Sequence, residues 1–343
     1  MRCPDCRSSL DMGNELTCHY CRRIFFDQNA EIVRLLPGSQ SSTKEEIQSF
    51  WRDKYRQWYE SDDRSRTGEI LKEDLALLED LFRRRGHLAV KEMALENLEG
   101  KEVLEVGSGA GGHSALFRMH AAHVTSVDIT PERVASTMQK LDLLCDLSLG
   151  SGLAMQADAE NLPFSDAAFD IVYSNGVLHH TESTQRCIEE IFRVLKPGGR
   201  AVIMLYARHS AQYWFSLVPW GILTGRIFWM PEPRWLGRAT EGTPKNQEES
   251  NPITRVFTKR QVEYLFHRFD RVALRRNGFF FTHLFPLPRL GLLRDRIVTW
   301  LGTKPHSGGK IVYGNPIIPE TPLELRLGRK LGFCWNIQAT KGP

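Results

Sequence analysis

Residues 103–111 read Val-Leu-Glu-Val-Gly-Ser-Gly-Ala-Gly, an apolar run followed by a turn rich in glycine. The apolar run predicts a buried strand, and the glycines predict a tight turn that opens a helix. Glycine lets the backbone approach a ligand closely, and the free N–H groups at a helix N-terminus face that ligand. The pattern is ambiguous by itself, because Gly107, Gly109 and Gly112 also satisfy the GxGxxG dinucleotide fingerprint. Asp128, 21 positions after Gly107, is placed to bind the ribose of a dinucleotide or of another nucleoside-containing cofactor, so its position does not decide between them.

Predicted strands and helices alternate on the C-terminal side of this turn. The strands are predicted over 102–106, 123–128, a stretch ending near Asp158, 169–174 and 200–205. The helices are predicted after Gly111, after Pro131 and over 184–195. Strands that alternate with helices indicate a parallel sheet with helices on both faces.

The flanking regions predict further elements. Apolar residues at helical spacing predict helices over 45–59, 71–98 and 259–266, and short apolar runs predict strands over 272–274 and 334–339. We therefore predict a doubly wound α/β fold with a mostly parallel, seven-stranded, Rossmann-like sheet. The predicted divisions are a Cys-rich unit (1–38), a linker with N-terminal helices (39–100), the core (101–206), and an aromatic-rich cap with the C-terminal end of the fold (207–343).

Four of the seven cysteines lie in the first 21 residues, as Cys3-Pro-Asp-Cys6 and Cys18-His-Tyr-Cys21. Two CxxC pairs on adjacent hairpin tips place four thiolates around one tetrahedral zinc ion. Such a zinc has no open coordination position and stabilises a unit whose core is too small to fold alone. We predict a structural zinc ribbon with these four ligands. A redox pair and a metal-free ribbon are the alternatives.

Three further motifs follow the glycine-rich turn in order. They are Gln156-Ala-Asp-Ala-Glu-Asn-Leu-Pro-Phe164, Phe169-Asp-Ile-Val-Tyr-Ser-Asn-Gly-Val-Leu-His-His180 and Arg193-Val-Leu-Lys-Pro-Gly-Gly199. Over residues 100–206 the chain thereby resembles the class I S-adenosylmethionine (SAM)-dependent methyltransferases, particularly the branch of the ubiquinone and menaquinone C-methyltransferases. The resemblance implies SAM, not a dinucleotide, as the cofactor, and methyl transfer as the activity.

The resemblance also implies which residues bind the methionine and ribose parts of SAM. Glu105, Gly107 and Gly109 would meet the methionine end, with Glu105 near its ammonium group, and Gly111 would complete the turn. Asp128 would accept hydrogen bonds from the ribose hydroxyls. A cationic ligand with a polar ribose needs such acceptors.

The adenine side of the implied site follows the next strands. Ile129 would lie against the adenine ring, and Asp158 would accept from its amino group beside Ala159. Asn175 would lie under the sulfonium. A plainer interpretation makes Glu105 a strand-end charge, Asp128 a helix cap and Asp158 a turn residue.

Residues after the strand 200–205 are candidates for the acceptor side, because ligands bind beyond the carboxyl ends of parallel strands. We predict His180, Tyr206 and His209 as catalytic residues, and Arg208 and Arg255 as substrate-binding residues. For Tyr206, Arg208, His209 and Arg255 the alternative is that they hydrogen-bond the long insertion to the core. For His180, which follows the strand 169–174, it is that the ring satisfies backbone groups at the strand end.

The insertion itself contains the most apolar run of the chain, residues 213–230. Pro219, two glycines and Arg226 argue against a membrane span, so we predict a buried or membrane-touching segment. The aromatic residues predicted to cover an apolar acceptor are Trp214, Phe215, Trp220, Phe228 and Trp229. Further on, Glu241-Gly-Thr-Pro and Asn251-Pro-Ile-Thr-Arg-Val-Phe-Thr258 resemble a bacterial methyltransferase branch.

The charge is uneven: residues 1–199 carry 23 basic and 32 acidic residues, and residues 200–343 carry 22 and 9. A basic region attracts phosphate-bearing substrates, nucleic acid or an anionic membrane. The start lacks the pattern of a signal peptide, so we expect a cytoplasmic protein, with possible peripheral membrane contact. The leading prediction is methylation of a small-molecule or lipid-linked acceptor. RNA methylation with the ribbon binding RNA, and a non-catalytic SAM-binding protein, are the alternatives.

Overall fold

The structure, a computed structural model, describes residues 1–12, 16–26, 32–146, 150–241, 250–286 and 289–343. Its described strands are β1 (Leu10–Met12), β2 (Leu16–Cys18), β3 (Ile24–Phe26), β4 (Val33–Leu35), β5 (Glu102–Val106), β6 (His123–Asp128), β7 (Ser151–Ala157), β8 (Phe169–Asn175), β9 (Leu195–Tyr206), β10 (Arg271–Asn277) and β11 (Cys334–Thr340). The described α-helices are α1 (Ser42–Trp58), α2 (Glu60–Arg64), α3 (Gly68–Arg85), α4 (Leu88–Lys91), α5 (Gly112–Met119), α6 (Pro131–Asp142), α7 (Thr184–Val194), α8 (Val218–Leu223), α9 (Glu232–Thr240), α10 (Lys259–Leu265), α11 (Arg289–Trp300), α12 (Lys310–Tyr313) and α13 (Pro322–Leu331).

The main sheet has the strand order β10-β11-β9-β8-β5-β6-β7-β4, and only β11 runs antiparallel to its neighbours. This confirms the doubly wound, mostly parallel fold. The predicted count of seven strands is wrong by one. Residues 33–35 form the edge strand β4, with Val33 opposite Met155 and Leu35 opposite Ala157. The predicted Cys-rich unit (1–38) includes this run, because three residues are too few to show a strand pattern.

The sheet is buried on both faces because successive side chains of a strand point to opposite sides. In β5, Leu104 and Val106 belong to one buried cluster together with α7 and the N-terminal ribbon. Val103 belongs to a second cluster, with α3, α4 and α5 on the other face. The two apolar layers hold the carboxyl ends of the strands rigidly in one place, where the functional site lies.

Capping side chains set several helix boundaries. Ser41 accepts from the Lys44 amide at the start of α1, and Thr67 accepts from the Ile70 amide at the start of α3. The helix predicted over 71–98 is wrong in its extent, because Gly86 takes a left-handed conformation (φ 54°) and ends α3. Each cap contributes about 1 kcal/mol to helix stability.

Candidate functional site

The N-terminal cysteines converge on one point. The sulfur atoms of Cys3, Cys6, Cys18 and Cys21 all lie within 4.8 Å of one another, and the Cys3–Cys21 and Cys6–Cys18 pairs are 3.7 and 3.4 Å apart. Zinc–sulfur bonds of about 2.3 Å in a tetrahedron separate the sulfurs by roughly 3.8 Å. All four thiols are free, so the geometry suits a zinc ion better than disulfides.

The ribbon packs directly on the main domain. The Arg2 amide donates to the Pro163 carbonyl (2.9 Å), and the Asn161 amide group donates to the Pro4 carbonyl (2.7 Å). Arg7 also pairs with Glu190 of α7. The segment that the ribbon contacts therefore begins a few residues after Asp158, one of the predicted cofactor residues.

A cavity of about 320 Å³ opens at the carboxyl ends of β5, β6, β7 and β8. Its wall includes most of the predicted cofactor residues, namely Gly107, Gly109, Asp128, Ile129, Asp158, Ala159 and Asn175. It also includes Arg133 of α6 and residues far away in sequence, among them Lys44, Trp51, Trp58, Glu241 and Tyr313.

The glycine-rich turn needs its glycines. Gly107 has a φ of 79°, and a Cβ atom there would come within 2.3 Å of the Val177 side chain. Gly111 has a φ of 81°, and a Cβ atom would come within 2.7 Å of the Thr137 backbone. Gly111 itself lies behind the cavity wall, so its role is to turn the chain into α5.

Asp128 is placed by backbone donors at the end of β6. Its Oδ2 accepts from the Gly109 amide (3.1 Å) and its Oδ1 from the Thr130 amide (2.9 Å). The residue is 6% exposed, and burial raises the pKa of its carboxyl group, an effect that nearby Arg133 opposes. The carboxylate is thus fixed in the wall, where it can accept hydrogen bonds from a ligand's hydroxyl groups.

Glu105 takes a different position from the predicted one. It is buried behind the turn and does not belong to the described residues of the cavity wall; the Ser114 hydroxyl donates to its carboxylate. Burial raises its pKa to about 8. His113, whose Nδ1 lies 3.7 Å from Glu105, does line the cavity, and burial lowers its pKa to about 3. A neutral imidazole therefore separates Glu105 from the cavity.

Asp158 pairs with Lys44 of α1. The Lys44 ammonium lies 2.5 Å from Asp158 Oδ2, 3.5 Å from Glu160 and 3.9 Å from Glu182. Burial acts to lower the pKa of Lys44, and the three carboxylates raise it above its usual value. The first turn of α1 thus neutralises an acidic corner of the cavity.

A second polar group lies in the same cavity wall and centres on Glu241, just after α9. Its Oε1 accepts from the Tyr206 hydroxyl (2.9 Å) and lies 3.5 Å from His180 Nε2, and Lys54 lies 3.7 Å from its Oε2. Burial alone would raise the pKa of Glu241, but His180 and Lys54 bring it below its usual range. Glu241 is therefore an ionised acceptor in a largely apolar wall.

Three other predicted acceptor residues lie outside the described part of the cavity wall. Arg208 pairs with Glu232 in α9, and His209 is exposed. Arg255 donates to the carbonyls of Thr181 and Glu182. The reason is geometric: β9 ends at Tyr206, and the chain then turns away from the cavity. Arg255 thus joins the residues after the insertion to the core, whereas Arg208 contacts residues within the insertion, Glu232 and Tyr213.

The aromatic residues of the insertion are also displaced from their predicted place. Trp214, Phe215, Phe228 and Trp229 are exposed, and neither they nor Trp220 belong to the described residues of the cavity wall. Instead α1 supplies aromatic wall residues, Trp51 and Trp58. The sequence motif 241–244 contains Glu241, but Gly242 to Pro244 lie outside the described residues.

Comparison with known proteins agrees with this geometry. Residues 104–203 match a family model described as a methyltransferase domain. The malonyl-[acyl-carrier protein] O-methyltransferase of Enterobacter lignolyticus is 32% identical over 97 residues, which are 28% of this chain and 36% of that protein. The phthiotriol/phenolphthiotriol dimycocerosates methyltransferase of Mycobacterium leprae is 40% identical over 105 residues, 30% of this chain and 37% of that protein. The matched segment spans about a third of these relatives.

Among solved structures, a SAM-dependent methyltransferase from Methanosarcina mazei aligns with a TM-score of 0.46 at 20% identity, covering 73% of this chain and 96% of that one. The central part of this chain is a class I methyltransferase domain with a Rossmann-like sheet. Of the described helices, none is long and apolar enough to cross a membrane.

Proposed function

We propose that the protein transfers the methyl group of SAM to a small-molecule or lipid-linked acceptor bound beside Glu241. The observation that carries this proposal is the placement of two groups of polar side chains in one cavity. Asp128 and Asp158 belong to the first group, and Glu241 with Tyr206 and His180 to the second. A methyltransferase needs both a cofactor subsite and an acceptor subsite in contact.

The first group fits SAM by the chemistry of its donors and acceptors. The ribose hydroxyls and the adenine amino group of SAM are donors, and fixed carboxylates are the acceptors that the wall offers to them. Gly107 and Gly109 leave room for the methionine part, and His113 presents a neutral ring beside it.

The second group suits an acceptor with an apolar body and one polar function. Tyr206 and Trp51 supply aromatic surface, and Glu241 is an ionised acceptor within it. On this side of the cavity, Lys54 is paired with Glu241, and Arg133 lies over the Trp51 ring. This composition supports a small or lipid-like acceptor more than a polyanionic RNA.

SAM supplies an electrophilic methyl group on a sulfonium, so the protein's task is mainly to align the acceptor with it. Glu241 Oε1 is held by the Tyr206 hydroxyl and faces His180 Nε2. His180 Nδ1 lies 3.0 Å from the Ile253 carbonyl oxygen and 2.8 Å from the Asn251 side-chain nitrogen, and these contacts fix the ring with Nε2 toward Glu241. Glu241 thereby accepts the hydrogen bond of the acceptor's hydroxyl or amine and orients its lone pair. Tyr206 and His180 keep the carboxylate in position.

The relatives' substrates are consistent with such an acceptor. One curated relative is named for a malonyl group on acyl-carrier protein and another for dimycocerosate lipids. The resemblance to quinone C-methyltransferases points to the same class of apolar acceptor.

The proposal is tested by incubating the protein with deuterated-methyl SAM and fractionated cell extract, followed by mass spectrometry. We expect the label in the lipid or small-molecule fraction. Label confined to RNA would overturn the acceptor proposal in favour of RNA methylation. SAM binding without any labelled product in any fraction would favour a non-catalytic binding protein.

A further inference from the structure

A group of large apolar side chains lies on the outside of two segments. In and after α8, Leu223, Phe228 and Trp229 are 75%, 77% and 68% exposed. At the end of α11, Trp300 and Leu301 are 85% and 67% exposed. Single exposed apolar residues are ordinary on a soluble protein, but a contiguous group of this size marks an interaction surface.

The two segments are connected through Phe281–Leu284. The π-helical turn Gln212–Leu217, directly before α8, packs against Phe281–Leu284, and Phe281–Leu284 packs against α11. Exposed apolar residues continue across this connection, since Trp214 and Phe215 are 49% and 56% exposed and Leu284 and Phe285 are 37% and 50% exposed. Together with the exposed apolar residues of α8, 224–229, α11 and Leu301 they form one apolar face across neighbouring elements. We call this face the docking surface.

Helix α11 shows that the apolar residues point outward while the helix stays anchored. Its Arg294 is 7% exposed and pairs with Glu324 of α13 at 2.7 Å, and Val298 is also buried. Ile297 and Trp300, three residues apart, form a separate stripe along the helix and are 49% and 85% exposed. The helix thus has a buried ion pair on its inner side and apolar residues on its outer side.

The segments that form the docking surface contain more basic than acidic residues. Residues 211–240 and 289–310 contain eight Lys and Arg against two acidic residues. Arg234 and Arg294 pair with Glu46 and Glu324, which still leaves a clear basic excess. A second copy of the chain would present the same positive face, so the charge disfavours self-association through it. Aromatic and aliphatic side chains among basic residues are the composition of segments that insert into an anionic membrane interface.

We propose that the docking surface binds the surface of an anionic phospholipid bilayer. Trp229, Phe228 and Trp300 insert among the lipid head groups, and Arg226, Arg296 and Lys304 meet the lipid phosphates. Resting on the proposed function, we further propose that the acceptor is a lipid taken from this bilayer. Both segments are joined along the chain to the cavity wall, since α8 and α9 lie between the wall residues Tyr206 and Glu241, and the wall residues Ile311–Tyr313 follow α11.

The test is co-sedimentation of the full chain with vesicles of phosphatidylcholine alone or mixed with phosphatidylglycerol. We expect the protein to pellet with the mixed vesicles and not with phosphatidylcholine alone. Phe228→Glu and Trp300→Glu should each weaken binding by about tenfold, since burying one large apolar side chain is worth about 1.5–3 kcal/mol. Tyr264→Glu is the matched control, because Tyr264 is 66% exposed on α10, and it should bind as the unaltered protein does.

Several outcomes overturn the proposal. Protein that stays in the supernatant with both vesicles, or variants that pellet as the unaltered protein does, would contradict docking on lipid. A dimer in sedimentation velocity that Trp300→Glu dissociates would assign the surface to a second copy. SAM calorimetry on the same samples separates the two proposals: SAM binding without vesicle binding overturns docking alone, and vesicle binding without SAM binding overturns the proposed function alone.

Discussion

Lys44, in the first turn of α1, donates to Asp158 at the end of β7 across a distance of 2.5 Å. The ammonium therefore donates to the same carboxylate that is proposed to accept a hydrogen bond from the adenine amino group. SAM is itself a cation, and Lys44 adds positive charge to its site. Helix α1 therefore weakens binding of the cofactor at this corner of the cavity.

The change Lys44→Met should consequently tighten SAM binding. We expect about 1 kcal/mol, roughly fivefold in affinity, as for a partly buried ion pair. Isothermal titration calorimetry measures this directly. Lys72→Met is the control, because Lys72 pairs with Asp146 on the exposed surface. Weaker binding in Lys44→Met would show instead that Lys44 holds the cofactor.

The change Asp128→Asn should weaken SAM binding by about 1–3 kcal/mol, the range for an unpaired buried polar group. Asparagine retains an oxygen that can accept from one backbone amide, so the turn at Gly109 should keep its shape. Asp146→Asn, at an exposed ion pair, should leave the affinity unchanged. Unchanged affinity in a folded Asp128→Asn variant would refute the ribose assignment.

Glu105 predicts how stability depends on pH. Burial raises its pKa from 4.5 to about 8 in the folded protein, so between these values the folded state binds more protons than the unfolded state. This group therefore makes the free energy of unfolding fall as pH rises from 4.5 to about 8. Glu105→Gln should flatten that fall, as measured by urea unfolding at several pH values. An identical pH dependence in both proteins would contradict a raised pKa of the buried Glu105 carboxyl group.

Because the ribbon packs beside the SAM site, we predict that zinc binding affects SAM affinity. The purified protein should contain about one zinc per chain by elemental analysis. Chelation, or Cys18→Ser, should lower both the melting temperature and the SAM affinity, because Pro4 and Arg2 support the segment 161–163 just after Asp158. Cys145→Ser, which changes an exposed cysteine outside the cluster, should do neither. Unchanged SAM affinity after zinc loss would show that the SAM site does not depend on the ribbon.

The sequence predicts the parallel core well, because local patterns determine it. The strands 102–106 and 123–128 agree with β5 and β6 at both ends, since apolar alternation and glycine turns mark them. The zinc ligands are equally local, and Cys3 to Cys21 do converge. Most of the proposed cofactor residues line the cavity for the same reason, because each follows a strand that the sequence marks.

The acceptor side could not be predicted in this way, because distant segments build it. Glu241 meets Tyr206 after 35 residues, and Trp51 reaches the cavity from α1, before the first strand of the core. The motif beginning at Glu241 was a signal, but nothing in it indicates a contact with Tyr206. Helix α11 was missed because its exposed apolar face lacks the pattern of a helix packed on a core.

Methyl transfer beside Glu241 is tested by comparing two variants with deuterated-methyl SAM and the lipid and small-molecule fraction of a cell extract. Glu241→Gln should bind SAM within about threefold of the unaltered protein, about 0.7 kcal/mol. It should form labelled product about a hundredfold more slowly, because a misplaced acceptor costs about that factor. Glu263→Gln, in an exposed ion pair of α10, should match the unaltered protein. Undiminished labelling by Glu241→Gln would contradict the account.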